Sequence, residues 1–196
     1  MKIKVFVSLL LFSLTSYSQN LTIDEVVALR KKNIANVEEF LTAKNWSYIG
    51  SNAPQSGNLG NARFAYGKSN YDDKAEAFIK YLYSENTGRK RISLQIHKKD
   101  KYNLYLARIK TLGCKLIKSK ISDNGIEKIY QGATTTFIID VKTQSEEFSS
   151  STKTIYHFFI IENSDYELNY KDEEIEEYNS TPIDTMAIET TNYYKN

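Results

Sequence analysis

Thr154-Ile155-Tyr156-His157-Phe158-Phe159-Ile160-Ile161-Glu162 is the stretch on which the fold turns. Tyr156, Phe158 and Ile160 are apolar on one side of an extended chain, while Ile155, Phe159 and Ile161 are apolar on the other, so this strand should be covered on both faces. Ile92, Leu94 and Ile96 instead alternate with Ser93, Gln95 and His97, the pattern of a half-buried antiparallel strand. Asn86-Thr87-Gly88 makes a turn into it. Asp123-Asn124-Gly125 is a hairpin signal between strands at Leu116–Ser122 and Ile126–Gln131.

Helix signals precede each group of strands. Thr22-Ile23-Asp24-Glu25 reads as a capping box opening a helix to about Ala43, with Ile34, Val37, Phe40 and Leu41 on its apolar face. Asp100 caps a second helix to Leu112, stopped by Gly113, with Tyr102, Tyr105, Leu106, Ile109 and Leu112 on its apolar face. Ile34, Val37 and Leu41 lie over Tyr102, Tyr105 and Ile109 at one constant shift, and Trp46 then falls on Cys114. With other shifts Tyr66 falls on Tyr130, Ala77–Tyr81 on Thr136–Asp140, and Arg91–Ile96 on Thr154–Phe159. The expectation is an α+β fold built as a tandem repeat of helix plus four antiparallel strands, residues 19–97 and 98–163.

The ends read differently. Lys2 and Lys4 precede an apolar run from Val5 to Leu14, then Ser16-Tyr17-Ser18, which is a signal peptide over residues 1–18 with cleavage after Ser18. A periplasmic or secreted location follows, with no transmembrane segment after cleavage, since the run is about half the ~20 residues of a span. Cys114 is the only cysteine, so no intramolecular disulfide can form and burial must supply the stability. Residues 164–196 hold nine acids against Lys171 and Lys195, a net of −7, whereas residues 19–163 carry a net of +7. That predicts an acidic, partly disordered tail over 164–196.

Catalytic signatures are missing. The chain has no H-E-x-x-H, G-x-S-x-G, P-loop or G-x-G-x-x-G sequence, and its glycines are scattered rather than grouped to cradle phosphate. No cofactor, metal or catalytic set is therefore expected. His157, in the most apolar strand, reads as a satisfied core histidine, His97 as exposed, and Cys114 as a core thiol. Glu76, Glu85, Asp140 and Glu162, on or near strands, are the carboxylates a hydrolase would draw on, and solvated strand ends are the alternative.

Basic and aromatic residues are concentrated around one strand. Arg89, Lys90 and Arg91 precede it, Lys98 and Lys99 follow it, and Tyr81 and Tyr83 lie just before. These seven are the expected partner-binding residues, because aromatic and arginine side chains carry much of the energy at interfaces. The expected partner is a protein or an anionic envelope component, and not nucleic acid, since no aromatic RNA-binding motif is present. The expectation is thus an exported, non-enzymatic binding protein of inhibitor or immunity type. A carrier of lipid or another amphiphile and a carboxylate-dependent hydrolase are the alternatives.

The order of elements over residues 22–162 resembles the tandem-repeat β-lactamase inhibitor proteins, although the paired cysteines that staple those proteins are missing here. Leu112-Gly113-Cys114-Lys115-Leu116-Ile117, Asp123-Asn124-Gly125 and Ile129-Tyr130 are similar to segments of small exported proteins of Bacteroidota. The first resemblance implies an exported protein-binding fold, and the second implies export without an activity.

Overall fold

The computed structural model describes residues 21–55, 58–69, 74–122, 125–145 and 152–170. The leader 1–18 and the acidic stretch from 171 onward lie outside them. Thr22 and Glu25 form the expected capping box: the Glu25 N–H donates to Thr22 Oγ1 at 3.2 Å and the Thr22 N–H donates to Glu25 Oε2 at 2.8 Å. It opens helix α1 (Ile23–Arg30). The helix does not continue to Ala43. Asn33, whose short side chain competes with helical hydrogen bonding, accepts the Asn36 N–H at 2.9 Å and starts a separate helix α2 (Ile34–Ala43). The Lys32 carbonyl at the break is satisfied by the Tyr81 hydroxyl, which donates to it at 2.8 Å.

Helix α3 (Lys99–Thr111) is capped by Lys98 without a side-chain bond, and Asp100, expected as the cap, lies within the first turn. There its charge suits the positive end of the helix dipole. Strands β1 (Trp46–Asn52), β2 (Gly60–Tyr66), β3 (Ala77–Tyr83) and β4 (Lys90–Ile96) precede α3. β5 (Lys115–Ser122), β6 (Gly125–Gln131), β7 (Thr135–Ser145) and β8 (Thr152–Glu162) follow, and helix α4 (Asn163–Asn169) ends the described chain.

All eight strands form one antiparallel sheet in the order β1-β2-β3-β4-β8-β7-β6-β5. This corrects the expected tandem repeat. Ile92, Leu94 and Ile96 of β4 pair with Ile160, Phe158 and Tyr156 of β8, so the sheet has no boundary at its centre. A single apolar cluster runs from Leu21 to Ile160, joining Phe64, Ile79 and Leu94 with Phe137, Ile139 and Phe158. The two halves also differ: two helices precede β1 whereas one precedes β5, and β7 and β8 have eleven residues against seven in β3 and β4. Similar apolar spacing recurs along the chain because each strand faces the same shared core, which requires no repeated module.

Helices α1, α2 and α3 cover one face of this sheet. Tyr102 of α3 stacks on Tyr156 with centroids 4.4 Å apart, and Tyr105 meets Phe158 edge to face at 5.5 Å. Truncating a fully buried ring such as Phe158 to alanine would cost about 3–5 kcal/mol. The opposite face, helix-free except where α4 packs against β7 and β8, is apolar only in part. Ile129, Ile138, Phe159 and Ile161 gather there beneath Tyr166 of α4, with Leu82 and Tyr170 at the margin. β8 is thereby buried on both faces over Phe158–Ile161, as its sequence requires. Asp165, assigned by charge to a solvated tail, is 5% exposed and belongs to this packing.

Candidate functional site

The seven residues expected to form one basic, aromatic surface are dispersed by the fold. Tyr81 is 1% exposed and points into the helix-covered core, where burial and then the neighbouring Tyr83 push its hydroxyl up to about 12. Tyr83 stacks beside it at 5.9 Å. Arg91 emerges on the helix-free face and is consumed there: its Nε and Nη2 donate to Asp165 at 2.7 and 2.8 Å, and its Nη1 donates to the Tyr170 hydroxyl at 2.7 Å. Burial alone would lower the Arg91 proton affinity, but the bond to Asp165 and the neighbouring Tyr170 outweigh it and leave the net shift upward. Arg89 is exposed in the β3–β4 turn and bonds Thr87, with Lys90 next to it. Lys98 and Lys99 lie at the other end of β4, where Lys98 is paired with Glu76. A seven-residue strand separates the two groups by roughly 20 Å.

A different surface stands out at the β5 edge. Among the described residues eight large apolar side chains are exposed, and five of them, Leu112, Leu116, Ile117, Ile121 and Ile126, lie on β5, β6 or the turn leading into β5. Ile121 is 81% exposed. Register explains the pattern. Leu116 and Ile121 stand opposite Tyr130 and Ile126 on the helix side, whereas Lys118 and Lys120 stand opposite Ile129 and Glu127 on the helix-free side. Lys115, opposite Gln131, joins the lysines. β5 therefore has an apolar side, a cationic side and, being last in the sheet order, backbone donors and acceptors with no neighbouring strand among the described residues.

The helix-free face carries a second arrangement, a polar strip across six strands. Arg63, Lys80 and Ser93 are successive cross-strand neighbours on β2, β3 and β4. His157, Asp140 and Glu127 are successive neighbours on β8, β7 and β6, one step along. The two rows meet where Ser93 Oγ lies 2.7 Å from His157 Nε2. His157 Nδ1 faces Asp140 Oδ2 at 3.6 Å, beyond hydrogen-bond length. His157 is thus half-buried on the helix-free face and bonded to a serine, not enclosed in the core as expected. Burial, and then the Asp140 charge, push the Glu127 carboxyl upward. The strip is cationic at Arg63 and Lys80 and carboxylate-bearing at Asp140 and Glu127.

Of the four carboxylates considered for hydrolysis only Asp140 reaches this strip. Glu76 pairs with Lys98, Glu162 with Arg30 at 2.7 Å, and Glu85 is exposed at the β3–β4 turn. Cys114 is buried, which pushes its thiol upward, and sits against Gly132, where a Cβ would approach Sγ to 2.7 Å. Among the described residues no group of three His, Cys, Asp or Glu is placed to hold a metal, and no helix is long and apolar enough to cross a membrane. Comparison with protein-family models, curated proteins and solved structures gives no match.

Sequence reasoning missed Arg63, Lys80, Ser93 and Glu127, and missed Leu116, Ile117 and Ile121 as exposed. The alternation Lys115-Leu116-Ile117-Lys118-Ser119-Lys120-Ile121 signals an amphipathic strand, but whether the apolar side meets a helix depends on where α3 lies.

Proposed function

We propose that this chain is an exported, non-enzymatic protein-binding module and that its partner adds a strand at the β5 edge. The partner segment is extended and alternates apolar with acidic residues, because it must face Leu116 and Ile121 on one side and Lys115, Lys118 and Lys120 on the other. The observation that carries this reading is that, among the described residues, five of the eight exposed large apolar residues lie along one edge of the sheet, from Leu112 to Ile126. Isolated apolar residues on a surface are ordinary, whereas a contiguous set marks an interaction site. The lysines also select the partner. A second β5 would bring like charges face to face, which opposes pairing between copies of this chain and favours an acidic strand.

Affinity capture from an envelope extract tests the reading. Ile117→Asp with Ile121→Asp should abolish capture of the protein retained by the wild type, while stability changes by no more than ~0.5 kcal/mol per exposed site. Lys118→Glu with Lys120→Glu should also abolish it, and capture by the wild type should fall as salt rises. Equal capture by both variants would reject the β5 edge.

One observation favours a second reading, hydrolysis on the helix-free face: Ser93, His157 and Asp140 lie in line on three adjacent strands. In that reading Ser93 Oγ attacks an ester carbonyl as His157 Nε2 takes its proton, the intermediate expels the alcohol with that proton, and water then hydrolyses the acyl-serine, while the Asp140 charge, 3.6 Å from Nδ1, offsets the positive charge that forms on the imidazole. A fluorophosphonate probe should then label Ser93 in the wild type and not in His157→Ala. The absence of any adduct would dismiss it.

A further inference from the structure

Lys115 and Lys118 are three positions apart, which in a regular strand would set them on opposite faces. The register shift between Leu116 and Lys118 makes Ile117 an extra residue, so the two lysines stand opposite Gln131 and Ile129, two apart on β6. Both therefore belong to the helix-free face, and both are exposed. Among the described residues of β5, β6 and β7, this face holds Lys115, Lys118, Lys120 and Lys142 against the carboxylates of Glu127 and Asp140. The balance at this edge is positive.

The described chain ends on the same face. Tyr170, just after α4, packs edge to face on Phe159 of β8 at 5.7 Å, and its hydroxyl accepts from Arg91 Nη1 at 2.7 Å. Two residues on, outside the described residues, Asp172-Glu173-Glu174-Ile175-Glu176-Glu177 sets five carboxylates in six positions. Phe159, Ile138, Ile129 and Lys118 form one cross-strand row, and Ile161, Thr136, Gln131 and Lys115 form the next. Both lysines are thus three strand spacings from β8, or roughly 14–15 Å. At about 3.3 Å per extended residue, Glu174 to Glu177 come within reach of them.

We propose that the acidic run 172–177 of this chain lies against Lys115 and Lys118 and competes for them with an incoming partner strand. This regulation rests on the reading of β5 as the partner's edge. As a strand, the run would put Asp172, Glu174 and Glu176 on one side and Glu173, Ile175 and Glu177 on the other, leaving Ile175 as its single apolar match for Leu116 and Ile121. It therefore engages the lysines through side chains and does not replace the partner along the β5 backbone. Exposed ion pairs are individually weak and are screened by salt, yet so short a tether holds the run at a local concentration on the order of millimolar, enough for partial cover. A partner that supplies both acidic and apolar positions displaces it.

The test places a nitroxide on Ile175→Cys of the 15N-labelled full-length mature protein, Cys114 being buried. At low salt the amide signals of Lys115 and Lys118 should broaden and those of β1 should not. High salt, or Lys115→Gln with Lys118→Gln, should restore them. A second measurement titrates a short synthetic peptide of alternating leucine and glutamate into the wild type and into the variant Asp172→Asn, Glu173→Gln, Glu174→Gln, Glu176→Gln, Glu177→Gln. The variant should reach half-saturation at about half the peptide concentration or less, since cover for half of the time doubles the apparent Kd. Broadening absent from β5, or equal on β1, would overturn the contact while leaving the β5 edge standing wherever the peptide binds. Broadening that persists with nitroxide and 15N on separate molecules would place the run on a second copy and overturn it as well. Equal half-saturation in both proteins would overturn the competition. Failure of both to bind the peptide would remove the β5 edge itself, and the regulation with it.

Discussion

Arg91 shows how one side chain can look the same in sequence and serve opposite ends in the fold. Beside Arg89 and Lys90 it reads as surface charge, yet it is half-buried against Asp165 and lies 5.2 Å from the centre of the Tyr170 ring. Asp165 is 74 residues away and sits in a run of acids that composition alone assigns to solvent, so nothing local in the sequence signals the pair. Arg91→Ala would leave Asp165 buried without its partner, which should cost about 3–5 kcal/mol in denaturant unfolding. Arg89→Ala, exposed in a turn, should change stability by no more than about 0.5 kcal/mol. Equal effects of the two substitutions would show that the Arg91–Asp165 pair does not anchor α4.

Glu127 makes a pH-dependent prediction. Its carboxyl titrates above the ordinary glutamate value of 4.5 because burial, and then the adjacent Asp140, oppose its charge. A folded-state pKa raised above the unfolded one gives a contribution that is fully present below pH ~4.5 and is lost as pH rises through the folded value. Glu127→Gln should therefore be more stable than wild type at pH 7, and the difference should vanish below pH 4.5. Unfolding midpoints measured across that range would reveal an opposite trend if Glu127 were instead stabilised as an anion.

Elements were legible where the local signal and the final environment agree. The Asp123-Asn124-Gly125 hairpin is consistent with the β5–β6 register, in which Ser122 pairs with Gly125, and the alternation in β4 puts Ile92, Leu94 and Ile96 in the core. The first helix was misread because apolar periodicity continues past Lys31-Lys32-Asn33, whereas the interruption depends on capping by Asn33 and on a carbonyl satisfied from β3. Asn33→Ala should cost about 1 kcal/mol through loss of the cap, and Tyr81→Phe a similar amount through loss of the hydroxyl bond to Lys32. Thermal unfolding unchanged by both would mean that the α1–α2 break is held by packing alone. The exposed side of β5 was illegible for the converse reason: its alternation implies a buried face, and only the position of α3 decides that the face is bare.

At the scale of the whole molecule, sequence alone could not distinguish two repeated modules from one sheet. Apolar spacing records that a strand has a buried face, but pairing of β4 with β8 joins segments more than sixty residues apart and leaves no local mark. That pairing has a functional result. It closes the centre of the sheet and, among the described residues, leaves β1 and β5 as its edges, and of these β5 has exposed apolar residues on one side and lysines on the other. Hydrogen exchange of the captured complex, compared with the free protein, tests the β5 edge most directly. The account predicts that backbone amides of Lys115–Ser122 exchange at least about tenfold more slowly in the complex, corresponding to about 1.4 kcal/mol of added protection, while those of β1 are unchanged. Unaltered exchange in β5, with protection confined to β1 or to the helices, would contradict it.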